Sequence, residues 1–151
     1  MIIKKVSCIE EAKECDKLLT LLIQDEKKYN ENTKDDYIVD NWYPNLIDKD
    51  NNQLFIAVYN NEIVGYAYVK IITTSDSPEI YTEASISGIY VKENYRRQGI
   101  ATKLINEAKK WCINKGVSYL KLNVLEGNRT ALNLYKKLGF NDFSRVLRNK
   151  L

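Results

Sequence analysis

The chain has 151 residues, of which 44% are hydrophobic and 28% charged, and carries a net charge of +3. These proportions fit one soluble domain over residues 1–151 with a sizeable core, exclude a disordered chain, and give no compositional support for a nucleic-acid partner. There is no histidine at all, which excludes Ser-His-Asp and Cys-His machinery and any His-bearing zinc site, leaving carboxylate, phenol, amine, water or backbone to do chemistry.

Met1 is followed by Ile-Ile-Lys-Lys-Val, with no apolar stretch long enough for a signal peptide or a membrane span, so a cytoplasmic protein without a membrane partner is expected. Ile2 to Val6 reads as a strand. Ser7 with Glu10 forms a capping box ahead of Ile9, Ala12, Cys15, Leu18, Leu19, Leu22 and Ile23, the apolar face of a first helix. The polar stretch from Tyr29 to Asp36 follows, and then Tyr37 to Ile47, which reads as a second helix ending near Pro44.

Gln53–Tyr59 and Glu62–Ile72 are β-prone runs joined by Asn60-Asn61, the signal of a hairpin. Ser75–Pro78 reads as a loop and Glu79–Val91 as a third long strand, in which Gly88 suggests a bulge or a close backbone approach. Ala101, Leu104, Ile105, Ala108, Trp111 and Cys112 trace one face of a helix that stops at Gly116. Tyr119–Leu125 is then a strand. Asn128 is an N-cap for a helix carrying Ala131, Leu134, Tyr135 and Leu138, Gly139 is its C-terminal cap, and Phe140–Leu147 supplies a last strand. Runs of strands beside a βαβ unit predict an α/β fold with a mixed sheet and helices on its faces. Cys8, Cys15 and Cys112 are an odd number at no metal-ligand spacing and read as reduced bystanders, so no metal is expected.

The stretch Tyr-Arg-Arg-Gln-Gly-Ile-Ala-Thr, residues 95–102, sits between the third strand and the following helix. A helix start there leaves unpaired N–H groups that attract anions, with Gly99 permitting close approach and Lys92, Arg96 and Arg97 adding charge. By its residues alone it is equally a solvated basic loop. There is no G-K-[ST] and no G-x-G-x-x-G, so phosphate-loop nucleotide and dinucleotide sites have no support.

Arg96-Arg97-Gln98-Gly99-Ile100-Ala101 matches in full the R/Q-x-x-G-x-G/A signature of acyl-CoA binding, and Asn128, Tyr135 and Gly139-Phe140 match a second element further on. With both in order and on the expected elements, the chain resembles the GNAT-superfamily N-acetyltransferases, well over residues 53–143 and by element order before that. The resemblance implies a central, mostly antiparallel twisted sheet with a splayed strand pair. It implies an acetyl-CoA co-substrate whose pyrophosphate rests on the N–H groups of Arg97, Gln98, Gly99, Ile100, Ala101 and Thr102, aided by Arg96 or Arg97. The pantetheine arm would pair with Ile89, Tyr90 and Val91, the Ile89 N–H would polarise the thioester carbonyl, and Asn128 would add a contact to its capping role.

A primary amine must lose a proton before it attacks, and Glu83 is the candidate base, on the expectation that its even separation from Ile89 puts both on one face. Its alternative is a strand glutamate paired with a neighbouring lysine. Tyr135 is the candidate acid for the leaving thiolate, its alternative a packed core tyrosine. Asp25, Glu26, Glu31, Asp35, Asp36 and Asp40, around Tyr29, Tyr37, Trp42 and Tyr43, could receive a cationic small-molecule or peptide amine, or be a solvated face. The expected activity is direct acetyl transfer in a ternary complex, with a non-catalytic acyl-CoA sensor as the alternative. A small RNA-binding domain is disfavoured because basic and aromatic residues do not interleave. Exposed strand edges would permit a homodimer.

Overall fold

The computed structural model describes residues 1–72 and 81–151. Strands β1 (Ile2–Lys5), β2 (Asn52–Tyr59), β3 (Glu62–Ile72), β4 (Glu83–Val91) and β5 (Tyr119–Leu122) lie in one sheet in chain order. The first four are antiparallel neighbours and β4 pairs with β5 in parallel. The helices are α1 (Ile9–Glu26), α2 (Ile100–Asn114) and α3 (Arg129–Lys137), with short 3-10 turns at Lys27–Tyr29 and Glu93–Tyr95. This is the α/β mixed sheet expected. Among the described residues no helix is long and apolar enough to cross a membrane.

Two cores follow from strand alternation, since successive side chains point to opposite faces. On one face Ala12, Cys15 and Leu18 of α1 pack on Leu54, Ile56, Tyr66, Tyr68 and Tyr90. On the other, Leu104, Ile105, Ala108, Trp111 and Cys112 of α2, with Tyr135 of α3, cover Phe55, Ala57, Ala67, Val69, Ala84 and Ile86. Leu104 and Ile105 are fully buried, each stabilising the sandwich by about 1.5–3 kcal/mol. Cys15 and Cys112 are buried and free as expected, and Cys8 is exposed.

The Asn60-Asn61 hairpin is present, both residues taking positive φ (46° and 64°), which a two-residue turn matched to strand twist requires. Four local expectations are corrected. The capping partner of Ser7 is Glu11, whose Oε2 accepts from the Ser7 N–H at 2.8 Å and its hydroxyl at 3.0 Å; the helix begins two residues after Ser7, which moves the reciprocal position on by one. Residues 37–40 have no regular structure, and Asn41 to Ile47 form a bend and turns, instead of a second helix, because Asn41 at φ 54° and Pro44 both interrupt a helical run. β5 ends at Leu122, not Leu125. No strand follows Phe140: residues 141–151 have no regular structure, with Phe143 81% and Val146 91% exposed. Polar and charged residues break up their apolar pattern, and a short β5 offers little edge to pair with. The expected Ser75–Pro78 loop and the Glu79–Ile80 start of the third strand lie outside the described residues.

The loop of residues 37–47 is held by a residue that periodicity did not single out. Asp16 on α1 is 4% exposed, and its two carboxylate oxygens accept the N–H groups of Trp42 (3.1 Å) and Tyr43 (2.9 Å). Asp16→Ala would leave both N–H groups without an acceptor, and should lower stability by about 2–4 kcal/mol in denaturant titration. A loss under about 0.5 kcal/mol would mean that water replaces the carboxylate.

Candidate active site

The site begins where β4 changes register. Tyr68 pairs with Gly88 and Val69 with Ile86, so Ser87 is an extra residue, the mark of a bulge. Gly88 is required here by close approach: a Cβ on it would lie 2.7 Å from the Tyr43 hydroxyl and 2.8 Å from that of Tyr66. Those hydroxyls are hydrogen-bonded to each other at 3.2 Å, Tyr43 donating, and burial pushes both phenols well above their ordinary pKa.

The bulge has two effects. It ends the pairing of β4 with β5, which runs only from Glu83↔Tyr119 to Ile86↔Leu122, so Ile89, Tyr90 and Val91 continue β4 without β5 beside them. It also reverses the alternation of faces. Val69 and Ala67, on the α2 face, pair with Ile86 and Ile89, whereas Ile72, Tyr68 and Tyr66, on the α1 face, pair with Glu83, Gly88 and Tyr90. Glu83 and Ile89 therefore lie on opposite faces, and the expectation of a shared face is corrected. Glu83 is paired with Lys121 of β5 at 3.0 Å.

Beyond Val91 the chain turns into α2. Lys92 and Tyr95 both bond the Glu62 carboxylate, at 2.7 Å and 2.9 Å, fixing the turn to the start of β3. Arg96 donates from Nε to the Val91 carbonyl at 2.9 Å, pairs with Asp25 of α1 at 2.5 Å, and lies 5.2 Å from the centre of the Tyr90 ring. Lys92 and Arg96, expected as charges for an anion, are thus committed to the protein's own groups. Arg97 is exposed.

Arg97 and Gly99 both have left-handed backbone, φ 65° and 75°. For Gly99, the N-cap of α2, this conformation favours glycine, and a Cβ there would meet nothing within 4 Å. The first bond of α2 along the backbone runs from the Lys103 N–H to the Gly99 carbonyl at 3.1 Å. The N–H groups of Ile100, Ala101 and Thr102 precede it and have no carbonyl inside the helix. An open cradle of donors at a positive helix end results.

The helix after β5, α3, sets Tyr135 into the same core as Val91 and Ile100. Asn128 caps it, Oδ1 accepting the Ala131 N–H at 3.2 Å. Tyr135 is 9% exposed and meets Phe140 edge-to-face, centroids 6.1 Å apart. Burial, and after it the charge of Glu26, push its phenol up to about 12, so it keeps its proton at neutral pH. A separate cleft of about 470 Å³, lined by Lys5, Ser7, Tyr68, Trp111, Lys115 and others, lies at the opposite end of α2 from this cradle.

A sequence model of the acetyltransferase (GNAT) family matches residues 17–140. The chain belongs to that family. The chain is 42% identical over 83 residues to the thialysine N-epsilon-acetyltransferase of Mus musculus, covering 54% of this chain and 46% of that one. It is 36% identical over 102 residues to the N-alpha-acetyltransferase of Sulfurisphaera tokodaii, covering 63% of this chain and 59% of that one. It spans about half the length of the curated relatives it matches.

Solved structures establish the GNAT fold. A mutant of the BH1408 protein from Bacillus halodurans superposes with a TM-score of 0.82 at 19% identity, covering 100% of this chain and 99% of that one. The aminoglycoside N-acetyltransferase AAC(6')-Iy, in complex with CoA, gives 0.71 at 19% identity, covering 99% and 98%. Among the described residues of this GNAT chain no His, Cys, Asp and Glu cluster suits a metal.

Proposed function

We propose that this GNAT chain is an acetyl-CoA-dependent N-acetyltransferase acting on a primary amine by direct attack in a ternary complex. The reading is supported by a β4 segment unpaired by β5, a donor cradle beside Gly99 at the start of α2, and a buried, protonated phenol on α3 that belongs to the same core as Val91 and Ile100.

The residues fit the co-substrate. Arg97, Gln98, Gly99, Ile100, Ala101 and Thr102 would hold its pyrophosphate, chiefly through backbone N–H groups with Arg97 adding charge. Ile89, Tyr90 and Val91 would hold the amide-rich arm as an added strand, and Asn128 would border it. Acetyl-CoA supplies the activated acetyl thioester. The Ile89 N–H acts as a single oxyanion donor, and Tyr135 holds the proton that a departing thiolate needs. A carboxylate, directly or through water, must relieve the incoming ammonium of a proton. Glu83 is the residue expected from the sequence, and its ion pair with Lys121 weakens its claim. The free, buried thiols of Cys15 and Cys112 support a cytoplasmic setting.

Relatives with names in thialysine and N-terminal acetylation support a small cationic amine or a peptide amine as acceptor. CoA should raise the melting temperature by mass action, by several degrees at millimolar concentration, in a thermal shift assay. CoA release should then appear with at least one amine of a panel comprising thialysine, lysine, 1,4-diaminobutane, an aminoglycoside and a peptide with a free N-terminus. No thermal shift with CoA would remove the reading, and a shift without release from any amine would favour an acyl-CoA sensor.

A further inference from the structure

The end of α1 is tied to segments on both sides of the place where β4 and β5 part, the mouth of the proposed site. At one side Asp25 is tied to Arg96, which also holds the Val91 carbonyl at the end of β4. At the other, Tyr29 packs on Gly127 just before α3, so closely that a Cβ on Gly127 would lie 2.9 Å from its ring. Glu26 stands between these two anchors. It is part-buried, and among the described residues its side chain has no hydrogen bond or ion pair.

The surrounding charges are otherwise committed. Arg96 faces Asp25, Lys27 pairs with Asp35, and Lys28 lies over the Tyr29 ring. Tyr66 and Tyr90 of the sheet and Tyr135 of α3 are the other titratable groups turned towards this end of α1. The charge of Glu26 contributes to raising the phenol pKa of both Tyr66, on the α1 face, and Tyr135, in the core on the α2 face.

We propose that Glu26 is the carboxylate that receives the acceptor's ammonium at this mouth and takes the proton that must leave before the nitrogen can attack. The N–H bond breaks, its electron pair stays on nitrogen, the proton joins a Glu26 oxygen, and water later carries it away. Glu26 suits both roles: it is near the candidate acid, it has no cation of its own, and burial and then Asp25 raise its pKa above the ordinary carboxylate value. The contrast with Glu83, which already has Lys121, is direct.

The inference rests on the acetyltransferase reading, and the test separates the two. CoA affinity is measured by calorimetry on wild type, Glu26→Gln, Glu26→Asp and Glu83→Gln. Turnover against pH is then followed with the panel amine that gives the fastest CoA release. Wild-type kcat/KM should rise with pH as Glu26 ionises. Glu26→Gln should lose about tenfold or more and lack that acid limb, Glu26→Asp should recover part of both, Glu83→Gln should keep the limb, and CoA affinity should stay within about twofold throughout.

Carbon-13 NMR of the Glu26 carboxyl with 1,4-diaminobutane, without CoA, gives a readout independent of activity. The diamine should move the resonance and shift its titration to lower pH, as a nearby cation favours the carboxylate. An intact acid limb in Glu26→Gln, or a resonance unmoved by the diamine, overturns the proposal. Absence of CoA binding by wild type overturns the acetyltransferase reading instead, while the NMR titration still decides whether Glu26 holds an ammonium.

Discussion

Gly99→Val should weaken CoA binding by about a hundredfold or more, whereas Arg97→Ala should weaken it by about fivefold or less. Valine is disfavoured at φ 75°, where a non-glycine residue costs about 1–3 kcal/mol, and a β-branched one belongs at the upper end. The turn relieves this strain by rotating Gly99 out of the left-handed region, which turns the N–H groups of the first α2 turn away from a common point. Losing two charge-assisted hydrogen bonds at about 1.5–3 kcal/mol each, where about 1.4 kcal/mol is tenfold, gives the predicted fall. Arg97 is exposed, and an exposed charge pair is worth about 0–1 kcal/mol. Calorimetry with CoA on both variants checks the ranking. The reverse order would make the stretch a charged loop whose arginine does the binding. Arg96 is an unsuitable comparator, because its loss also releases Asp25 and the end of β4.

Tyr135→Phe should lower kcat by about 10²–10³ and leave CoA affinity within about twofold. The ring keeps its place against Phe140, so the substitution removes an oxygen and its proton with little change in packing. With its phenol pushed up to about 12, Tyr135 is protonated at every pH below that range. Acid assistance from it is therefore present at neutral pH and is lost only as pH rises towards 12, so wild type should show no alkaline limb from this group below about pH 10. Steady-state kinetics with the best panel amine, paired with CoA calorimetry, reads both quantities. Unchanged kcat would return Tyr135 to a packing role.

The hairpin, α2, α3 and the glycine N-cap were legible because each depends on local signals: apolar spacing, Asn60-Asn61, Asn128, and a glycine before a helical stripe. Gly88 was legible as an irregularity, and its partners were not. The tyrosine hydroxyls that require it come from residues 43 and 66, and nothing local links those positions. The face of Glu83 was misread for the same reason. A period of two counts residues, and the extra residue at Ser87 exists only relative to the partner strand. Arg96 looked like a ligand charge because its partner Asp25 is 71 residues away. The role of Asp16 was likewise hidden, since a carboxylate among apolar helix positions carries no local sign that two distant N–H groups will cap it.

The four-residue register between β4 and β5 also bears on how the molecule opens. β1 to β4 form a meander in which each strand of the inner pair has a neighbour on both sides. β5 is held in the sheet by one short parallel ladder and reached through the α2 crossover. β1, at the other edge, has an equally short ladder. Regions with few backbone bonds open at lower free energy than the rest, so both edges should exchange their amide hydrogens before the β2–β3–β4 centre, and of the two only the β5 edge adjoins the unpaired end of β4.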